Sequence, residues 1–453
     1  MSGSIWNSES SLAIHAARRN ARNFRNANDP LRGQPVPPEP PLRRQRRQRC
    51  IYRVTPGDPA SFDLEKIADP ENLALNWRQQ RSSGGSAPGV DGMTFDLSPS
   101  TYMELMRNLS RALRNRRYVP APTRSVRIPK PSGGHRTLEI PTVIDRVVGA
   151  ALSEALRPVL VDRLPRHYGT EASCHAILGH MCVMAEDHDW HWLAIDDIKN
   201  FYPSVRRELA METFFEETYR WGVTKGQLYR QGIPWLAAAL IYANDGDAQA
   251  IGLGQGSSFS PLSASIVLKE VLDLPMDQRI ENRMILSRFV DNIHIQGQDR
   301  SDVRSAMNGA QTILNEHGMT LKDGGTITID VRQPTSQTIL GITPEWRNNK
   351  LLFTIPEGKW RELEETLNSN MRGNGSERVR SIIQGFTEAF RPTYRESADD
   401  PIGRMVRALR TAGIYSIPER TITQWVQAGR QKWNSELTAM RASIRHHATQ
   451  TLH

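Results

Sequence analysis

Ala194-Ile195-Asp196-Asp197-Ile198-Lys199-Asn200-Phe201-Tyr202 and, downstream, Arg288-Phe289-Val290-Asp291-Asn292-Ile293-His294-Ile295 decide how this chain is read. Each string puts an acidic residue at the end of an apolar, strand-like run. Asp197 follows Trp192-Leu193-Ala194-Ile195. Asp291 and Asn292 fall between the apolar runs 284–290 and 293–295, so a tight hairpin turn is expected there. Asp and Asn tolerate left-handed backbone in such turns, and the turn should carry Asp291 towards Asp197. Two carboxylates on rigid backbone are what a pair of divalent metal ions needs for nucleotidyl transfer. Between the strings lies Gly252-Leu253-Gly254-Gln255-Gly256-Ser257-Ser258-Phe259-Ser260-Pro261, a backbone-exposing loop that can approach a template or a nucleotide. Singly, each piece is ordinary: a Val-Asp-Asn turn is usually only a turn, and a Gly-Gln-Gly loop can serve a helix entry. Their order, and the strand-turn-strand setting of the last, carries the weight.

The rest of the chain reads as a series of segments. Residues 63–81 have helical composition and run into the glycine- and serine-rich loop 82–92. Tyr102, Leu105, Met106, Leu109 and Leu113 stand at helical spacing within 101–116. Residues 125–130, the turn Pro131-Ser132-Gly133-Gly134 and residues 135–140 read as a basic hairpin. Residues 142–163 return to helix, with Asp145 and Arg146 in its first turns. From 356 onward the pattern is helical without strand signal. There Ile402, Met405, Val406 and Leu409 form an apolar stripe, and Arg404, Arg407 and Arg410 line another face. Trp425 and Trp433 read as core.

Composition narrows the partners. With 453 residues, 38% hydrophobic and 24% charged, the chain suits two or three subdomains. No apolar run approaches the ~20 residues of a membrane span, so no membrane partner is expected. Cys50, Cys174 and Cys182 show no zinc-site spacing, and a reducing cytoplasm is the expected compartment. Residues 1–50 hold ten arginines against three acids, so they carry seven of the nine net positive charges. With Pro35-Val36-Pro37-Pro38-Glu39-Pro40-Pro41 this segment resists helix. It reads either as a solvated, disordered tail or as an arm that orders on RNA through Arg43, Arg44, Arg46 and Arg47, since guanidinium groups both stack on bases and fork onto phosphate.

In this order the strings resemble a bacterial reverse transcriptase of the group II intron-like lineage. Asp197-Ile198-Lys199-Asn200-Phe201-Tyr202 is similar to motif A, Gly254-Gln255-Gly256-Ser257 with Ser260-Pro261-Leu262 to motif B, and Phe289-Val290-Asp291-Asn292 to motif C. Ile339-Leu340-Gly341 resembles the primer-grip hairpin. Ile128-Pro129-Lys130 through Arg136, Ile140-Pro141-Thr142 and Asp145-Arg146 resemble the fingers motifs, and Ala87-Pro88-Gly89-Val90-Asp91-Gly92 the N-terminal extension. The resemblance covers residues 80–345.

It implies an α+β fold, a right-hand polymerase with a disordered basic N-terminal tail. The implied segments are a tail over 1–50, an N-terminal extension over 51–100 and fingers over 101–190. A palm with an antiparallel sheet over 191–345 and a helical thumb over 346–453 follow. It implies RNA-directed DNA synthesis with two Mg²⁺ ions, Mn²⁺ being an alternative. Asp197, Asp291 and the Ile198 carbonyl would be the metal ligands, and Asn292 would complete the catalytic set. Lys130 and Arg136 would clamp the triphosphate of an incoming dNTP. Tyr202, five residues after Asp197, would be the steric gate against ribose. Gln255 would contact the template or nascent base pair, Leu340 and Gly341 the primer. Arg404 and Arg407 would track the duplex.

The chain departs from the family in three places. Asn292 stands where a second aspartate is usual, and Gly325 where a lysine is kept, with Lys322 nearby but shifted. Tyr168-Gly169-Thr170-Glu171 lacks the arginine common there. No cysteine–histidine endonuclease cluster follows the thumb. The expected role is therefore that of a domesticated or defence-associated enzyme that copies a dedicated structured non-coding RNA into cDNA and acts against phage. The alternatives are a maturase-like RNA-binding protein with a weakened polymerase site, and a template-independent or protein-primed polymerase.

Overall fold

Alternating exposure along 124–129 makes an amphipathic strand, and the chain folds it into a ribbon. β1 (Arg124–Pro129) and β2 (His135–Ile140) pair antiparallel, from Arg124 opposite Ile140 to Pro129 opposite His135. The computed structural model describes residues 50–82, 87–129, 135–160, 173–224, 226–227, 231–242, 251–254, 256–280, 283–322, 325–370, 376–396 and 400–450. These divide into two compact units, each built from several stretches of chain.

The first unit comprises Met1–Pro165, Lys199–Val271 and His317–Met319. Ser98 caps the helix Pro99–Arg114 by accepting the Thr101 N–H, with Pro99 at the first helical position. The predicted stripe is its inner face, where Met106, Leu109 and Leu113 are buried. Helix Pro70–Ser82 packs on it, and Trp77 stacks on Tyr102 at 5.7 Å and meets Phe95 edge-on at 4.9 Å. Helix Val143–Leu160 is buried over most of its length. Asp145 near its start accepts hydrogen bonds from the Tyr118 hydroxyl (2.6 Å), the Thr142 hydroxyl (2.7 Å) and the Ala121 N–H (3.2 Å). Arg146 donates to the Ala87 carbonyl at 2.7 Å. Gly89 runs so close that a Cβ would stand 2.7 Å from the Thr142 Cα, which accounts for glycine in that loop.

The second unit comprises Arg166–Ile198, Leu272–Glu316 and Thr320–His453. Its centre is a four-stranded antiparallel sheet in the order β4 (Met284–Phe289), β5 (Asn292–Gly297), β3 (Trp192–Asp197) and β6 (Ile327–Asp330). Leu193 and Ile195 of β3 pack into one core with Ile177, Leu178 and Met181 of helix Cys174–Asp187 and with Trp433 and Leu437 of helix Glu419–Gln450. β7 (Thr343–Arg347) and β8 (Lys350–Thr354) form a further hairpin through Asn348 and Asn349, both left-handed as such a turn requires. That hairpin crosses residue 345, where the sequence had suggested the sheet region would end.

Glu186 joins three elements of this unit. It accepts the Leu351 N–H at 3.0 Å and ion-pairs with Arg395 and Arg441. The C-terminal helices hold a second core around Trp360, Ile383, Tyr394, Met405 and Leu409. The predicted stripe of helix Pro401–Thr411 faces it. Trp433 is fully buried and Trp425 partly so, both in core positions.

Candidate active site

Neighbouring residues on a strand point to opposite faces, so Asp196 and Asp197 cannot share a role. Asp196 is buried and satisfied: one oxygen accepts the Asp197 N–H at 2.9 Å, the other the Thr326 hydroxyl at 3.0 Å. Asp197 stands directly across from Asn292 on β5, and residues so opposed share a face. One Asp197 carboxylate oxygen, Oδ2, pairs with the Lys322 ammonium. The other, Oδ1, is buried without a hydrogen-bond partner.

The β4–β5 turn brings up the second carboxylate. The Ile198 N–H donates to the Asp291 carbonyl at 3.0 Å, fastening the turn to the end of β3. Burial, followed by the negative charge of Asp197, raises the Asp291 carboxyl above its ordinary range, while Lys322 and Arg288 pull the other way. Asn292 donates a long hydrogen bond, 3.4 Å, to Asp291 Oδ1. Among the described residues no three His, Cys, Asp or Glu side chains form a ready-made metal cage. Magnesium does not require one, since it is commonly held by one or two carboxylates together with substrate phosphates and water. Two adjacent carboxylates, one with an unsatisfied buried oxygen, fit such an ion.

The turn corrects one expectation. Its left-handed residue is Val290, φ +57°, and not Asp291 or Asn292. A β-branched side chain there is strained, at a cost of about 1–3 kcal/mol. Arg288 meets that strain directly. It is fully buried, forks onto Asp273 through 2.9 and 2.7 Å hydrogen bonds, and donates a third, 2.7 Å, to the Val290 carbonyl. Removing one partner of such a buried pair costs about 3–5 kcal/mol. The sequence reading passed over Arg288 and Asp273. A signal was there, because an arginine within an apolar strand and an aspartate within Val271-Leu272-Asp273-Leu274 both demand a charged partner once buried.

The remaining candidates are placed as follows. Leu340 and Gly341 form a two-residue turn, φ +49° and +88°, closed by Ile339 and Ile342, whose N–H groups each donate to the other's carbonyl. In the first unit Tyr202 is half-buried on helix Phe201–Ser204, its ring 5.4 Å from that of Phe201. Its carbonyl accepts the Leu253 N–H at 2.9 Å. Gly256, φ +124°, lies against the Glu139 carbonyl, where a Cβ would come within 2.1 Å. Arg136 is exposed on β2. Lys130, Gln255, Arg43, Arg44, Arg46 and Arg47 lie outside the described residues. Arg404 is already engaged, with two 2.7 Å hydrogen bonds to Glu357 and its guanidinium 4.6 Å from the Trp360 ring centroid. Arg407 is largely exposed, 3.9 Å from Asp400.

Residues 128–342 match the family described as reverse transcriptase (RNA-dependent DNA polymerase). The matched stretch, a little under half of the chain, is similar to a reverse transcriptase domain. Protein YkfC of Escherichia coli is 27% identical over 229 residues, which cover 49% of this chain and 58% of that protein. The putative COX1/OXI3 intron 1 protein of Saccharomyces cerevisiae is 24% identical over 216 residues, 46% of this chain and 24% of that protein. The chain thus spans less than two thirds of either relative. Among solved structures, telomerase from Candida albicans in complex with a fragment of telomeric RNA is similar over 72% of this chain and 62% of that one, at 13% identity and a TM-score of 0.40. Apo telomerase from Candida tropicalis is similar over 79% of this chain and 71% of that one, at 10% identity and a TM-score of 0.41. No helix of the described residues is long and apolar enough to cross a membrane.

Proposed function

We propose that this chain is an RNA-directed DNA polymerase that copies a structured non-coding RNA into cDNA. The observation that carries the reading is the meeting of Asp197 and Asp291 at one end of the sheet, with the buried Asp197 Oδ1 left unsatisfied. Two divalent cations, Mg²⁺ or Mn²⁺, would activate the primer 3′-hydroxyl and neutralise the triphosphate. Asp197, Asp291 and the Ile198 carbonyl would be the protein ligands that hold them. Asn292 orients the Asp291 carboxylate through its amide. Lys130 and Arg136 would hold the triphosphate, Tyr202 would exclude a ribose 2′-hydroxyl, and Gln255 would touch the nascent pair. Leu340 and Gly341 would grip the primer. In this reading residues 101–190 are fingers, 191–345 palm and 346–453 thumb.

The arginines of residues 1–50 support an RNA partner, with binding that weakens as salt rises. We infer a cytoplasmic role in antiphage defence from the plan of the chain, as an analogy of architecture. A second reading, a maturase-like RNA-binding protein with little synthesis, is favoured by Asn292 in place of a second carboxylate. The test is to purify the chain with its bound nucleic acid, sequence that RNA, and supply dNTPs with Mg²⁺ or Mn²⁺. DNA that copies one co-purified RNA and disappears in Asp197→Ala and Asp291→Ala, with RNA affinity retained, is the expected result. Bound RNA without DNA under either metal would favour the second reading.

A further inference from the structure

We infer that Arg288 and Asp273 are positioning residues of the metal site, acting on Asp291 through the strained Val290 turn; this rests on the polymerase reading above. A buried ion pair is a costly way to fill a core, and an apolar pair of similar volume commonly serves stability as well or better. The apolar pair would lack the third hydrogen bond, from Arg288 to the Val290 carbonyl at 2.7 Å. The planar guanidinium fixes the direction of that bond, because its other edge is forked onto Asp273. The Val290 carbonyl belongs to the peptide plane that leads into Asp291. The Asp291 carbonyl on the following plane is held by the Ile198 N–H at 3.0 Å. Both peptide planes flanking Asp291 are therefore clamped, the first by Arg288 and the second by the end of β3.

Val290 explains why the first clamp is needed. At φ +57° a valine leaves this backbone readily, and a strained residue persists only where its surroundings over-determine it. Asp273 closes a π-helical turn, Lys269–Asp273, which is followed by Leu274-Pro275. Single π turns recur at functional sites, and here the turn supplies the counter-ion of Arg288. Neither residue belongs to the ligand set. Their effect passes through the backbone, as that of groups which orient metal ligands commonly does.

The test is the full-length double variant Asp273→Leu/Arg288→Met, which removes the pair without stranding a charge. Its partner experiment adds Val290→Gly, because glycine takes positive φ freely. Mn²⁺ binding to the purified protein is read by electron paramagnetic resonance, beside kcat and KM for dNTP and a thermal melt. The expected result is a folded double variant whose Mn²⁺ affinity falls about 10- to 100-fold. Its kcat should fall while KM changes little, and Val290→Gly should restore part of the Mn²⁺ affinity. A folded double variant with unchanged Mn²⁺ affinity and kcat would overturn the inference. If the double variant does not fold, Arg288→Lys is measured in the same way, and unchanged Mn²⁺ affinity there overturns the inference equally. Asp291→Ala separates this inference from the activity it rests on. If the wild type binds Mn²⁺ through Asp291 yet makes no DNA, the polymerase reading fails while the positioning role is still decided by Mn²⁺ affinity.

Discussion

Lys322 holds Asp197 at two points, its ammonium on the carboxylate and its backbone N–H on the carbonyl at 2.9 Å. The antiparallel bridge between Ile198 and Leu321 brings the lysine there, although the sequence had placed it off the family position. Its side chain is 63% exposed, so the ammonium would be free to swing away if Asp197 takes a metal ion as proposed. Lys322→Ala removes that competitor. Half-saturating Mg²⁺ for DNA synthesis is expected to fall by up to about fivefold, the range of an exposed ion pair. A metal titration in which the half-point stays or rises would show that the lysine does not compete.

Asn292 lowers the negative charge of the site by one relative to a second aspartate. Its amide donates to Asp291, an interaction that Asn292→Asp turns into like-charge repulsion until metal binds. The variant is expected to need less Mg²⁺ for synthesis and to melt at lower temperature in EDTA, with the melting difference shrinking as Mg²⁺ is added. Equal metal requirements in the two proteins would mean that residue 292 plays no part in holding the ions.

Tyr202 is fixed by its carbonyl bond to the Leu253 N–H and by its neighbour Phe201. If its ring is the steric gate, Tyr202→Ala should incorporate ribonucleotides at a markedly higher kcat/KM while dNTP use changes little. Competition between rNTP and dNTP in one extension reaction reads this directly. Unchanged sugar discrimination removes the role from this residue.

The legible parts of the fold were those written in local periodicity. The β1–β2 ribbon, the stripes of Pro99–Arg114 and Pro401–Thr411, and the β4–β5 turn that carries Asp291 all follow from alternation or helical spacing. Contacts between distant segments were not legible. Arg404 looked like a free cation on a helix face, whereas Glu357 and Trp360, from another helix, engage it. The partnership of Arg288 with Asp273 depends on tertiary packing. Propensity also misassigned the turn. Asp and Asn are the better left-handed residues, yet Val290 takes that conformation because Arg288 holds its carbonyl. Such overrides of local preference by the surroundings are expected near a functional site.

Gly256 lies on the backbone of β2, with no room for a side chain. An added Cβ would press on the Glu139 carbonyl, and φ +124° would be strained for any other residue. Gly256→Ala must therefore shift the loop or the strand. Expected are a drop in unfolding free energy of a few kcal/mol, in the range of strained or overpacked sites, and loss of dNTP affinity out of proportion to that drop. Chemical denaturation beside KM for dNTP separates the two. A variant that matches the wild type in both would mean the loop yields without cost.

His294 supplies a pH test that does not depend on the carboxyls of Asp197 and Asp291. It is buried in the middle of β5, opposite Ser287, with Nδ1 lacking a partner. Burial pushes its pKa down to about 4, from an unfolded value of about 6.5. Below pH 6.5 the unfolded chain therefore takes up a proton that the folded chain refuses until about pH 4. Stability is present above that window and is lost as pH falls through it. Between pH 7 and pH 5 the loss from this one group is on the order of 2 kcal/mol. His294→Gln retains an N–H donor and cannot titrate. Urea unfolding at the two pH values should give a smaller decrement for the variant than for the wild type, by about that amount. An equal decrement in both proteins would mean that His294 is not what the acid limb reports.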